Sequence, residues 1–242
     1  MLLDFWRRTD QIARSAMKGE LMNLNSAGAK LTVMSLILAG CPIIARASAA
    51  TSAVPQTTAS APTGQQSPGS ASSFVPTDFL VPTLVETANF KIVPLGPDLV
   101  KVDFDAYMSS VDHLQKTFTR STDWPHKGIS DSDAMRDMET EQARFRNRTS
   151  FAYAVLTPDG RRERGCVYVY PSTVEGYDAV VKMWVTKAEY DAGFDAELYA
   201  WVVRWMQKDW PVAKVAYPGR AIEWAAWDSI VATSNARNAK SE

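Results

Sequence analysis

Few residues in this chain have side chains suited to catalysis. His113 and His126 are its two histidines. An imidazole titrates near neutrality, so either could act as a general acid or base. His113 follows Asp112 at the border between the polar and apolar sides of a predicted helix, where a half-buried structural role competes with catalysis. His126 follows Trp124-Pro125 in a predicted loop, and binding residues often sit in loops. Cys166 is the third catalytic candidate. A thiol becomes a nucleophile when a nearby cation or helix N-terminus lowers its pKa, whereas Cys166 opens a strand of core type, where a small buried cysteine also packs well. The other cysteine, Cys41, lies far upstream in an apolar segment. The absence of Cys-x-x-Cys or His-rich spacing leads to an expectation of no disulfide framework and no metal centre.

Aromatic residues suggest a cleft. Tyr168, Tyr170, Tyr177 and Trp184 fall on adjoining predicted strands. With Trp124 and Arg220 they could wall a substrate site, or they could pack as core and rim. Asp178, at a strand start, could orient a ligand amine or cap a turn. Trp224 and Trp227 have helical spacing in AIEWAAWDSI, which suits a docking helix. Arg161-Arg162-Glu163-Arg164 follows the turn signal Pro158-Asp159-Gly160 and reads as a solvated hairpin tip. With 26 basic against 27 acidic side chains and no basic face, a nucleic-acid partner is not expected. A small molecule or a protein is the expected partner.

The elements that would position these residues lie in the last two-thirds of the chain. Apart from Phe5 and Trp6, no aromatic residue precedes Phe74, so one core-forming domain is expected over residues 78–230, with a disordered tail over 231–242. A first strand is predicted at Phe90–Leu95. A helix over Asp103–Phe118 would face inward through Phe104, Tyr107, Met108, Val111 and Leu114, and a second is capped near Ser130 and runs over Asp133–Asn147. Phe151–Leu156 and Gly165–Tyr170 form a hairpin, Asp178–Val185 is a further strand, Asp195–Lys208 a helix, and Val212–Tyr217 a last strand. The fold class is α/β (α+β), with a mixed, mostly antiparallel sheet.

Upstream, Leu31–Ala45 is an apolar run of about fifteen residues preceded by Lys30 and followed by Ala47-Ser48-Ala49. A membrane-spanning helix needs about twenty, whereas this order of basic, apolar and small segments suits an export signal over residues 1–49. Met22 is an alternative start. Leu38-Ala39-Gly40-Cys41 offers a second route, lipidation at Cys41, and an unused leader would leave the protein cytoplasmic. Residues 50–77, rich in Ala, Ser, Thr and Pro, read as a disordered linker.

Several segments carry a family resemblance. They are Tyr107-Met108-Ser109-Ser110, Trp124-Pro125, Phe151–Leu156, Gly165–Pro171, Trp184-Val185, Asp209-Trp210-Pro211 and Tyr217-Pro218-Gly219-Arg220. Together they resemble GNAT N-acetyltransferase-like proteins of bacteria over somewhat more than half the chain. The resemblance implies a GNAT-like sheet, here incomplete at its C-terminus, an acyltransferase-like function and acetyl-CoA as the cofactor. It places the cofactor beside Trp184, Val185 and Lys187, with the pyrophosphate at the N-terminus of the next helix. In this chain the loop Thr186–Phe194 carries Glu189 and Asp191, with Asp195 just beyond. A like-charge pair about 4 Å apart costs roughly 4 kcal/mol at an effective dielectric near 20. An exported, non-enzymatic binding module on the same fold is therefore the alternative.

Overall fold

The computed structural model describes residues 74–238; the expected leader, Cys41 and most of the linker lie outside them. Six strands form one sheet in sequence order: β1 (Val85–Glu86), β2 (Lys91–Pro94), β3 (Phe151–Leu156), β4 (Glu163–Pro171), β5 (Ala179–Val185) and β6 (Val215–Ala216). Every neighbouring pair is antiparallel except β5 and β6, which run parallel. The expected mixed, mostly antiparallel α/β architecture is thus present.

Side-chain alternation along these strands creates two apolar faces. On one face, Val167, Val169, Val181, Met183 and Val185 meet Leu198, Val202, Trp205 and Met206 of a long helix, α5 (Phe194–Asp209). Full burial of each aliphatic side chain stabilises by about 1.5–3 kcal/mol, so this stripe is sufficient reason for α5 to cross from β5 to β6. On the other face, Ala152, Ala154, Cys166, Tyr168, Tyr170, Val180 and Trp184 meet four elements. These are α1 (Val100–Met108), the short α2 (Val111–Leu114) with its π-helical continuation Gln115–Thr119, α3 (Asp131–Arg146) through Met138, and the last helix, α6 (Trp224–Asn238). Helix α3 starts with a capping box in which Ser130 and Asp133 satisfy each other's backbone N–H groups. Its Phe145 meets Phe151 and Tyr153 edge to face.

Four expectations need correction. The first predicted helix breaks at Ser109-Ser110, and α1 turns Asp103 inward beside Ala106 and Tyr107, whereas Phe104 and Met108 are only partly buried. Packing onto the domain already includes residues before 78, because Val75 is buried and the Phe74 ring lies against Phe151. The tail expected from residue 231 is helical to Asn238, since Ile230 and Val231 pack on the second face and Ser234 Oγ donates to the Thr173 carbonyl. The last strand shrinks to two residues, and its approach is held by Asp178, whose Oδ2 accepts from the Ala213 and Lys214 backbone N–H groups at 2.9 and 2.8 Å.

Candidate functional site

The parallel pairing of β5 with β6 covers two rungs, Ala179 with Val215 and Val180 with Ala216. Beyond Val180, β5 continues to Val185 while the other chain turns away through Tyr217-Pro218-Gly219. The two strands therefore form a wedge, with the N-terminus of α5 at its mouth. Three residues proposed from sequence lie around that mouth: His113 from α2, Lys187 from the short α4 (Lys187–Asp191) and Arg220 from the turn after β6. His113 packs against Tyr190 at 4.9 Å between ring centroids, and Tyr190 is 47% exposed. Burial pushes the His113 pKa below its ordinary value, and the Lys187 charge adds to this. Both effects favour the neutral imidazole.

The same mouth shows where negative charge goes. Arg220 grips Asp195 through two 2.7 Å hydrogen bonds, Nη1 to Oδ2 and Nη2 to Oδ1. Asp195 lies in the first turn of α5, where a carboxylate complements the helix dipole. Lys187 Nζ donates to Asp191 at 2.5 Å. Glu189, expected in a loop, lies in α4. It is buried and accepts from Arg162 Nη1 at 2.7 Å, Arg164 Nε at 2.9 Å and Arg164 Nη2 at 2.5 Å. Burial alone would raise its pKa, but the two guanidinium groups outweigh that and hold it below the usual carboxylate range. The supposed solvated hairpin tip therefore clamps α4, and Arg164 also lies over the Phe194 ring at 3.3 Å.

These contacts decide how well the site suits a CoA pyrophosphate. The Lys187 N–H is taken by Ser110 Oγ at 2.8 Å, that of Ala192 by the Ala188 carbonyl, and that of Gly193 by the Tyr190 carbonyl. The Asp195 carboxylate stands in the first turn of α5 and is paired with Arg220; it makes no cap hydrogen bond to the N–H groups of that helix. The half-buried Trp224 ring packs on the second face beside Gly219, with Lys182 Nζ of β5 5.9 Å from its centroid and Arg120 Cζ 4.4 Å from it. A Cβ on Gly219 would overlap this ring. The Asp195 carboxylate in the first turn of α5 is the feature here that opposes a pyrophosphate.

The remaining sequence candidates lie elsewhere. Tyr168, Tyr170 and Trp184 are buried and packed on one another, on Phe118 and on Trp124, as core beneath the π-helical turn rather than as a cleft. Val185 is buried against α5. Tyr177 packs on Trp227. His126 uses Nδ1 to accept the Gly128 N–H at 3.0 Å and holds its own loop. Cys166 is fully buried and donates to Glu163 Oε1 at 2.9 Å. Burial, and then the Glu163 charge, push the Cys166 thiol well above its ordinary pKa, the reverse of what a nucleophile needs. Trp184 Nε1 donates to Tyr168 Oη at 3.3 Å, beside Cys166. Asp103 and Glu163 escaped sequence reasoning. Asp103 lay hidden in an expected helix start, and Glu163 in a charge run.

No family model matches the chain, and no curated protein matches it. Solved structures similar to it are acetyltransferases. A ribosomal-protein-S5-alanine acetyltransferase from Vibrio fischeri shares 11% identity over 62% of this chain and 81% of that one, with a TM-score of 0.44. The microcin C7 self-immunity acetyltransferase MccE, solved with acetyl-CoA and AMP, shares 13% identity over 57% of this chain and 74% of its own, with a TM-score of 0.43. A candidate GnaT-family acetyltransferase from Bordetella pertussis shares 14% over 55% and 77%, with a TM-score of 0.43. The likeness concerns the fold, so the functional reading rests on this chain's own residues.

Proposed function

We propose that this protein is an acetyltransferase-like binding module. It takes a small polar ligand at the mouth of the β5–β6 wedge and lacks the phosphate cradle that acetyl-CoA requires. The observation that carries this reading is the two-pronged Arg220–Asp195 pair at the N-terminus of α5. It places a protein carboxylate where a pyrophosphate would need backbone N–H groups and positive charge. The exposed Tyr190 ring, the His113 imidazole and the two flanking ion pairs offer a ligand an apolar surface with hydrogen-bonding edges. The expected export signal agrees with such a role, because acetyl-CoA is a cytoplasmic cofactor.

A second reading, acetyl transfer from acetyl-CoA to an amine with release of the CoA thiol, is favoured by the divergence of β5 and β6 beyond Val180. The two readings separate in a thiol-release assay of the full-length protein with acetyl-CoA and a panel of primary amines. The binding-module reading expects thiol release no faster than in buffer. Amine-dependent, protein-dependent release that saturates with acetyl-CoA would overturn it.

A further inference from the structure

Beneath α1, on the sheet face away from α5, three buried side chains meet. Asp103 comes from α1, and Glu163 and Cys166 come from β4; they are 4%, 1% and 0% exposed. Each offers one ligand atom within 4.8 Å of the other two. Residues three apart on a regular strand point to opposite faces, so Glu163 and Cys166 should not converge. A β-bulge brings them together. Val155 pairs with Gly165 but Leu156 pairs with Glu163, which makes Arg164 the extra residue and turns Glu163 to the side of Leu156 and Cys166. Bulges of this kind re-aim side chains, and this one aims a carboxylate into the core.

Two carboxylates and a thiol are an acceptor-rich set to bury. As carboxylates, Asp103 and Glu163 cannot donate to each other, so the hydrogen bond between them needs a proton on one, and Glu163 Oε2 is buried without a partner of hydrogen-bond geometry. The surroundings are acidic as well: Asp137 acts on Asp103, and Asp103 in turn acts on Glu141. Either protons or a cation must satisfy the set. The spacing suits a cation. Across a tetrahedral zinc, ligand bonds of about 2.3 Å to sulfur and about 2.1 Å to oxygen place S and O about 3.6 Å apart. Cys166 Sγ lies 3.6 Å from Asp103 Oδ1 and 2.9 Å from Glu163 Oε1, so one carboxylate already stands at that separation and the other must move by about 0.7 Å.

We propose that Asp103, Glu163 and Cys166 form a binding site for one divalent transition-metal ion of the Zn2+ type, closed within the fold beneath α1. One thiolate and two carboxylates match a borderline-soft ion rather than Mg2+ or Ca2+. Because the thiol must ionise, uptake releases its proton to solvent, and binding couples to folding.

The test uses the full-length protein purified without added metal, then titrated with Co2+ and Zn2+. The expected result is one ion per chain, a near-ultraviolet thiolate-to-cobalt band, and a thermal midpoint that a strong chelator lowers and Zn2+ restores. Cys166→Ser should abolish the band, Glu163→Gln should weaken binding at least tenfold, and His126→Ala should change neither. Where Cys166→Ser fails to fold, the chelator and Zn2+ responses of the wild type decide. Absence of bound metal, of the band and of any Zn2+ effect at millimolar concentration would overturn the site, as would full metal retention by a folded Cys166→Ser. Glu163→Gln folding as stably as wild type, with no metal in either, would assign the cluster to shared protons instead.

Discussion

Glu189→Ala tests whether the arginines of the β4 hairpin hold α4 in place. The Glu189 side chain is 8% exposed and accepts three charge-assisted hydrogen bonds, two of them from Arg164, itself 16% exposed. Breaking a buried ion pair by removing one partner costs about 3–5 kcal/mol. Arg162 is 58% exposed, so water can solvate it after the loss, and its share is small. A net cost of about 2–3 kcal/mol follows, which for a domain of this size lowers Tm by roughly 4–12 °C. Thermal unfolding followed by circular dichroism at pH 7 reads this directly. The sign with pH is also set. Glu189 has a depressed pKa in the folded protein, so its contribution is present above the unfolded carboxylate pKa and is lost as pH falls through the folded value. Wild type and variant should therefore converge in strong acid. A loss under about 2 °C at pH 7, or a gap that widens in acid, would refute the clamp.

Other outcomes follow from individual positions. Burial pushes Glu141 up to about 7 against the opposing pull of Arg144, so the folded protein binds that proton more tightly than the unfolded chain does. Its contribution is complete below the ordinary carboxylate pKa and fades as pH rises toward 7, by at most about 3 kcal/mol. Glu141→Gln should flatten the fall of Tm between pH 5 and 8, and an unchanged slope would count against it. At Gly165 a Cβ would overlap the Trp184 backbone carbonyl, so Gly165→Ala should leave the protein insoluble or its Tm at least about 10 °C lower; near-wild-type melting would contradict this. For export, intact-mass analysis of protein from the cell envelope should show a start near residue 50 or a lipid on Cys41. A chain that retains its first 49 residues would show the leader unused.

Much of the fold was legible because hydrophobic alternation is strong where a sheet has two covered faces. Phe151–Leu156 was read with its observed ends, and α5 was read to within a residue at each end. Alternation fails where the backbone is irregular. The bulge at Arg164 breaks the period of two, so Glu163 read as a solvent charge. The break at Ser109-Ser110 and the π-helical turn rotate the first helical segment, so Asp103 read as a helix start rather than a buried acid. For the site, residue type pointed to His113 and Arg220 and the family resemblance to Lys187, and the three lie close enough to act on one another electrostatically, but sequence could not say that Glu189 and Asp195 are each matched by arginines 25 or more residues away. Nor could it separate a cleft aromatic from a core aromatic, because Tyr168 and Trp184 have the same composition signal in either role.

In the proposed reading, Asp195, held by Arg220, takes the place of a cofactor phosphate. Calorimetric titration of wild type and Asp195→Ala with CoA tests this. Wild type should give no heat at millimolar CoA. Asp195→Ala removes a repulsion of up to roughly 4 kcal/mol at about 4 Å and frees Arg220, so it should bind detectably. Micromolar CoA binding by wild type, unchanged or weakened in Asp195→Ala, would show that Asp195 does not exclude the cofactor.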